Sequence, residues 1–124
     1  MIPGAKLGVG LLGCGAFGRF CLREFAAMPG LRPAAVADTI PEAARKTGEE
    51  FAVPVCADIH ALAARDDVQI IHIATPPSTH RELAIAALDA SKHVLCEKPL
   101  ATTLADAHRM IAERRNVGKV VLVP

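Results

Sequence analysis

Residues 7–18 have the sequence LGVGLLGCGAFG, an apolar run followed by three glycines in the spacing GxGxxG. A run without polar side chains is typical of a parallel strand covered on both faces. Gly13 permits a tight turn after this strand, Gly15 lets a pyrophosphate approach the backbone, and Gly18 allows close packing of the next helix. The start of that helix offers N–H groups and partial positive charge to phosphates. Because glycine-rich turns also join strands to helices for packing alone, the pattern gains specificity from its context, which is a strand before it, a helix after it and an acid at the end of the second strand.

Asp38, at the end of the second predicted strand, is an acid in the position where dinucleotide-binding units have one. It follows Gly18 by about 20 residues, the spacing found in dinucleotide-binding units. A carboxylate there can accept hydrogen bonds from the adenosine ribose and would repel a 2′-phosphate, so NAD is favoured over NADP. Two alternatives stay open. Asp38 could be a solvated cap of the next helix, and the nearby Arg45 and Lys46 could serve a phosphate.

The chain as a whole alternates short apolar runs with longer helical periods, which predicts βαβ units around a parallel sheet. We expect strands at 7–12, 33–37, 53–56, 69–74, 93–96 and 120–123. We expect helices after residue 15, over 40–51, over 58–64, from 79 and from 103. Pro54 places the third strand at an edge. These elements would complete a doubly wound, six-stranded α/β sheet of the Rossmann type, with residues 1–124 forming a single domain.

Two local patterns give finer predictions. Apolar residues recur at helical spacing in the first helix, which predicts a buried stripe. Its members are Phe17, Phe20, Cys21, Phe25 and Met28. Thr79, with Glu82 three residues later, has the form of a capping box at the start of the fourth helix.

The segment ATPPSTH, residues 74–80, follows the fourth strand. Its two prolines fix an extended exit from the carboxyl edge of the sheet, where open α/β folds bind ligands. Thr75 offers a hydroxyl, and His80 falls in the first turn of the next helix. Taken alone, the segment favours an ordinary strand-to-helix turn with His80 in solvent.

The segment CEKPL, residues 96–100, follows the fifth strand at the same edge. A lysine beside a bound nicotinamide could donate a hydrogen bond to a substrate hydroxyl or carbonyl, and burial would favour its neutral form. Lys98 is in that position. The alternative is a surface Glu-Lys pair before a turn.

Taken together, three segments resemble the N-terminal cofactor-binding domain of the glucose–fructose oxidoreductase/inositol dehydrogenase/rhizopine catabolism (Gfo/Idh/MocA) family. They are GCGAFG at 13–18, ATPPSTH at 74–80 and HVLCEKPLA at 93–101. The resemblance covers essentially the whole chain, and the EKP motif is its most specific part.

The resemblance implies a role for each matching residue. Pyrophosphate contacts are expected from Gly13, Gly15, Ala16, Phe17 and Gly18. Asp38 would contact the adenosine ribose, and Thr75, Pro76 and His80 would border the middle and the nicotinamide end of the cofactor. Glu97 would lie near the nicotinamide ribose, and Lys98 would be the catalytic lysine at the reacting oxygen.

The resemblance also implies a function. Family members continue into an α+β domain with the substrate pocket, which these 124 residues do not include. We expect the NAD(P)-binding part of an oxidoreductase that moves a hydride between nicotinamide and a secondary alcohol of a sugar, cyclitol or related polyol. The alternative is a non-catalytic dinucleotide sensor, which would have no need of Glu97 and Lys98. The sixth strand, 120–123, would be an apolar edge without its usual neighbours, so we also expect self-association.

Composition excludes several other classes of protein. Hydrophobic residues make up 52% of the chain, which suits a packed core, and the net charge of +1 with 3% aromatic residues argues against a nucleic-acid partner. The four cysteines have no zinc-site spacing, so no metal is expected and a reduced, cytoplasmic protein fits best. No apolar run is long enough to cross a membrane, and no signal peptide is visible.

Overall fold

The computed structural model describes residues 5–97 and 120–123. Its strands are β1 Leu7–Leu12, β2 Leu31–Ala37, β3 Val55–Cys56, β4 Ile70–Ile73, β5 His93–Glu97 and β6 Val120–Val123. Its α-helices are α1 Ala16–Ala26, α2 Pro41–Phe51, α3 Ile59–Ala63 and α4 His80–Asp89, with a 3-10 turn at Pro77–Thr79. The predicted fifth helix, from residue 103, lies outside the described residues.

All six strands pair in parallel in the order β3-β2-β1-β4-β5-β6. The predicted doubly wound Rossmann sheet is therefore confirmed. Its strand order reverses at β1, which lies between β2 and β4, and the last residue of β1, Leu12, pairs with Ala37 on one side and Ile73 on the other. In an open α/β sheet, ligands bind in the crevice outside the carboxyl ends of the strands at this switch point.

Helices cover both faces of the sheet, which explains the apolar strands. On one face Ile71 and Ile73 of β4 pack with Leu62 of α3 and Leu88 of α4. On the other face β1 residues pack with Leu22 of α1. Each fully buried side chain of this size contributes roughly 1.5–3 kcal/mol, so these two layers hold the carboxyl edge of the sheet in place.

The predicted apolar stripe of α1 is only partly right. Phe17 and Phe20 are 51% and 53% exposed and stack on each other in solvent, while Gly18 and Leu22 are the buried residues of this helix. A Cβ at Gly18 would lie 2.2 Å from the carbonyl oxygen of Gly13. The missing side chain lets the helix approach the glycine turn there, and this contact sets which face of α1 turns inward.

The predicted capping box of α4 is wrong. The Thr79 side chain caps nothing in the helix, because its hydroxyl donates to the Pro76 carbonyl oxygen at 2.6 Å. Its backbone, with φ −98° and ψ −12°, continues the preceding 3-10 turn and lacks the extended conformation of an N-cap. The edge position predicted for the third strand is confirmed, although β3 is only two residues long.

Candidate functional site

A cleft of about 540 Å³ opens at the carboxyl ends of the strands. The turns after β1, β2, β3 and β4 line it, together with the start of α4. Five of the predicted site residues lie on it, namely Gly13, Gly15, Asp38, Thr75 and Pro76. The sheet order thus brings together residues from three separate segments of the sequence.

The glycine turn between β1 and α1 forms one wall of this cleft. Gly13 has a φ of +102°, and a Cβ there would lie 2.5 Å from the Ala74 carbonyl oxygen, so both the turn and the close approach require glycine. Gly15 differs, because a Cβ added there would meet no atom within 4 Å. The glycine at position 15 therefore leaves open space on the cleft, and neither backbone strain nor protein packing accounts for it.

The N-terminus of α1 is uncapped at the same place. Gly15 is the N-cap residue, no side chain caps the helix, and its first turn contains no acidic residue. The first N–H groups of a helix have no partner within the helix, and its dipole places partial positive charge there. Free donors, positive potential and open space fit a phosphate group.

Asp38 lines the cleft beside the glycine turn and bonds to it. Its Oδ2 accepts a hydrogen bond of 2.6 Å from the Cys14 N–H, and its Oδ1 accepts one of 2.7 Å from the Ile40 N–H. The N-cap residue of α2 is Ile40. The alternative that Asp38 is the cap of this helix is therefore wrong. Each carboxylate oxygen keeps further acceptor capacity, which a ribose hydroxyl could use.

The loop after β4 is ordered by its own hydroxyl groups. The Thr75 Oγ1 lies 2.6 Å from the Thr79 Oγ1, whose proton goes to the Pro76 carbonyl oxygen. His80 is 1% exposed, and its Nε2 lies 2.7 Å from the Thr75 carbonyl oxygen. The ring is buried beneath the loop and supports it. The prediction that His80 lies in solvent is therefore wrong.

Glu97 lies away from the cleft, against α1. Its Oε1 lies 2.7 Å from Nε2 of His72, a fully buried ring that meets Phe25 edge-on at 5.5 Å. Burial holds the pKa of His72 below its usual value, outweighing the raising effect of Glu97. A neutral His72 therefore donates its Nε2 proton to Glu97.

Cys21 completes this cluster, with ligand-type atoms of all three side chains within 4.8 Å of one another. Such donors suit zinc. Burial, and then Glu97, raise the pKa of the Cys21 thiol, and the proton between His72 and Glu97 occupies the position a metal would need. Within residues 5–97 the arrangement therefore fits a hydrogen-bonded cluster better than a metal site.

The remaining predicted residues lie beside the cleft or beyond the described region. Ala16 and Phe17 are exposed at the start of α1, and Gly18 is buried beneath the glycine turn. Lys98 lies outside the described residues.

Sequence reasoning missed the turn after β3, whose residues Ala57, Asp58 and Ile59 line the cleft. Asp58 also caps α3, since its Oδ1 accepts a 2.9 Å hydrogen bond from the Ala61 N–H. The sequence could have predicted this turn as part of the cleft, because every strand of a parallel sheet has its carboxyl end at the same edge.

Comparison with known proteins identifies one family of oxidoreductases. The model of the oxidoreductase family with an NAD-binding Rossmann fold, Gfo/Idh/MocA, matches residues 7–124. Inositol 2-dehydrogenase of Salmonella paratyphi B is 36% identical over 121 residues, which cover 94% of this chain and 36% of that enzyme. The chain thus spans about a third of the length of that relative.

Solved structures of nicotinamide-dependent enzymes have the same fold as this chain. Myo-inositol dehydrogenase from Lactobacillus casei, in complex with NAD(H) and myo-inositol, matches with a TM-score of 0.87 at 30% identity, over 94% of this chain and 36% of that one. A mutant 3-ketoreductase from Actinomadura kijaniata, in complex with TDP-benzene and NADP, matches with a TM-score of 0.84 at 33% identity, over 94% and 37%. The two structures hold different nicotinamide nucleotides.

None of the described helices is both long enough and apolar enough to cross a membrane.

Proposed function

The chain belongs to the Gfo/Idh/MocA oxidoreductase family through its NAD(P)-binding Rossmann domain, and we propose that it serves as the cofactor-binding part of a polyol or sugar dehydrogenase. The substrate would be a secondary alcohol of a sugar, cyclitol or related polyol. The relative named inositol 2-dehydrogenase supports this substrate class and favours an enzyme over a non-catalytic sensor.

The observation that carries this proposal is the open space at Gly15 beside the uncapped start of α1. A pyrophosphate in that space would receive hydrogen bonds from the first N–H groups of the helix. The turn is held in shape by Asp38, so the donors are oriented before a ligand arrives. Such preorganisation lowers the cost of binding.

NAD is the proposed preferred cofactor. Asp38 lines the cleft at the end of β2, where its carboxylate can accept hydrogen bonds from ribose hydroxyls. When bound, the nicotinamide would supply the hydride chemistry of the reaction. This chain would bind and orient the cofactor, and the substrate pocket would come from a further domain of the longer protein.

Lys98 is the proposed catalytic residue, donating to the reacting oxygen of the substrate. It directly follows Glu97 at the end of β5, next to β4, whose following turn lines the cleft. In the complete enzyme, Lys98→Met should lower turnover strongly and leave the NADH dissociation constant nearly unchanged. Turnover equal to that of the wild type would remove this role.

A titration followed by the emission of the nucleotide tests the binding proposal. The chain has no Trp and no Tyr, so protein emission interferes little. We expect saturable binding of NADH, tighter than that of NADPH. If no NADH binds to folded protein, the proposal fails.

Two further expectations remain proposals. β6 is an edge of the sheet within the described residues, and exposed edge strands pair between chains. We therefore expect concentrated solutions of residues 1–124 to self-associate, and a strictly monomeric profile in light scattering would contradict this. A cytoplasmic location is proposed from the four free cysteines.

A further inference from the structure

We propose that His72 is a positioning residue for the reaction of this oxidoreductase. It holds the carboxylate of Glu97 on the face of the sheet beneath α1, and it thereby keeps that carboxylate from pairing with the amine of Lys98. The inference rests on the proposed function, in which this amine donates to the reacting oxygen of the substrate. It replaces the alternative left open from the sequence, in which Glu97 and Lys98 form an ordinary surface pair.

The Glu97 side chain leans back from the end of β5. The register of β4 and β5 pairs His72 with Leu95, so Glu97 lies two positions farther along β5 and on the same face of the sheet. Its Oε1 nevertheless lies 2.7 Å from the Nε2 of His72. The carboxylate is therefore drawn away from the carboxyl edge and towards β4, and only 14% of the Glu97 side chain is exposed.

Helix α1 covers this pair. The ring of Phe25 meets His72 edge-on at 5.5 Å, and the Sγ of Cys21 lies within 4.8 Å of ligand-type atoms of His72 and Glu97. These neighbours leave His72 fully buried. A hydrogen bond in such a place is stronger than one in water, so it can fix the position of the carboxylate.

Packing alone does not account for a histidine at position 72. Leu11, which pairs with His72 on β1, and Ile70, on the same face of β4, are apolar residues of the same core layer. The Nδ1 of His72 is buried and has no hydrogen-bond partner among the described residues. A buried acceptor without a donor costs free energy that an apolar side chain would avoid. The bond from Nε2 to Glu97 is what distinguishes histidine from an apolar residue here.

A carboxylate at the end of β5 has a competing partner next to it in the sequence. Lys98 directly follows Glu97, and consecutive residues are only about 3.8 Å apart along the backbone. Without the bond from His72, the Glu97 carboxylate could accept a hydrogen bond from this amine. Such a pair would keep the amine charged and occupied. The bond from His72 competes with it and leaves the amine available to a substrate oxygen.

The labelling rates of individual lysines test this role. Reductive methylation with formaldehyde and cyanoborohydride at pH 8, followed by mass spectrometry of peptides, measures the rate at each lysine of residues 1–124. In His72→Leu, Glu97 loses its donor, and we expect its pairing with Lys98 to slow the labelling of Lys98 about threefold, the size of an exposed ion pair. His72→Gln keeps an Nε2 donor and should label Lys98 at the wild-type rate. His72→Phe should behave like His72→Leu, so the test does not depend on one apolar variant folding.

Two controls separate this effect from a loosened structure. Cys21→Ala removes another side chain of the cluster, one that makes no hydrogen bond to Glu97 within residues 5–97, and should label Lys98 at the wild-type rate. Lys92 reports loosening, because its Nζ donates to two backbone carbonyl oxygens at 2.8 and 2.6 Å. We expect the labelling rate of Lys92 to be the same in all of these proteins.

Two outcomes would overturn the inference. One is wild-type labelling of Lys98 in both His72→Leu and His72→Phe. The other is faster labelling of Lys98 together with Lys92 in these variants, which would show that His72 only stabilises the structure. Titration of the wild type with NADH tests the proposed function separately. If no NADH binds, the proposed function fails, whereas the labelling rates still decide whether His72 holds Glu97 away from Lys98.

Discussion

The backbone N–H of Cys14 donates a 2.6 Å hydrogen bond to Oδ2 of Asp38, joining the glycine turn after β1 to the end of β2. The other carboxylate oxygen accepts from the Ile40 N–H. One side chain therefore shapes the turn that would hold a pyrophosphate and also lines the cleft where a ribose would bind. Loss of cofactor binding on removal of this carboxylate would combine both effects.

Asp38→Ala should therefore destabilise the domain as well as weaken NADH binding. The change leaves the part-buried N–H group of Cys14 without its acceptor, which costs about 1–3 kcal/mol, whereas water can replace the acceptor of the exposed Ile40 N–H. Urea denaturation measures the difference. Asp66→Ala is the control, because Asp66 is exposed and its carboxylate makes no hydrogen bond within residues 5–97. Equal stability of Asp38→Ala and wild type would show that the carboxylate does not hold the turn.

The orientation of α1 leads to a second prediction. Leu22 is fully buried and Phe20 is 53% exposed. Leu22→Ala should cost about 2–5 kcal/mol through lost burial and a cavity, whereas Phe20→Ala should stay within about 0.5 kcal/mol. Both changes place alanine in the same helix, and the helix propensities of leucine and phenylalanine differ by only a few tenths of a kcal/mol, far less than the expected difference. A larger loss for Phe20→Ala in chemical denaturation would mean that the helix buries the stripe predicted from periodicity.

The stability of the domain should depend on pH through His72. Burial lowers the pKa of its ring below the usual 6.5. The unfolded chain therefore takes up this proton at a higher pH than the folded chain, and it binds more protons as the pH falls below 6.5. Folding stability should fall over that window, by at most about 1.4 kcal/mol per pH unit for one group. From about one pH unit above 6.5 the contribution of His72 is constant.

Comparison of variants isolates this effect from other titrating groups. His72→Gln should flatten the dependence of unfolding free energy on pH below 6.5. His60→Gln, at an exposed histidine of α3, is the matched control for the loss of one imidazole. The same slope in His72→Gln and wild type would mean that the ring titrates alike in the folded and unfolded chains.

Local signals predicted much of the fold. The apolar run of β1 and the glycine spacing after it correctly predicted the strand Leu7–Leu12 and the start of α1 at Ala16. The position of Asp38 after β2 was predicted from the strand pattern at 33–37. These features depend on residues close together in sequence, where periodicity and turn chemistry act directly.

Contacts between distant elements were not predictable in the same way. The pairing of His72 with Glu97 depends on the register of β4 and β5, in which Ile73 pairs with Cys96. The face of α1 that turns inward depends on the contact between Gly18 and Gly13. The periodicity of large apolar residues cannot predict this contact, because glycine has no side chain. The hydrogen bond between Asp38 and the Cys14 N–H likewise forms only because β1 and β2 lie side by side.

If the space at Gly15 receives the pyrophosphate of a nicotinamide nucleotide, a side chain added there should block binding, and one pair of variants tests this directly. Gly15→Ala and Gly30→Ala each add a methyl group that meets no protein atom within 4 Å, and neither glycine has a positive φ. Gly30→Ala should keep its stability within about 0.5 kcal/mol, and Gly15→Ala should lose about 1 kcal/mol at most, because alanine is a poorer N-cap residue than glycine.

The measurement is the NADH dissociation constant of these two proteins and the wild type. We predict that Gly15→Ala weakens NADH binding by about tenfold or more, equivalent to about 1.4 kcal/mol, while Gly30→Ala binds like the wild type. A folded Gly15→Ala protein with the NADH affinity of the wild type would contradict the placement of the cofactor on the glycine turn.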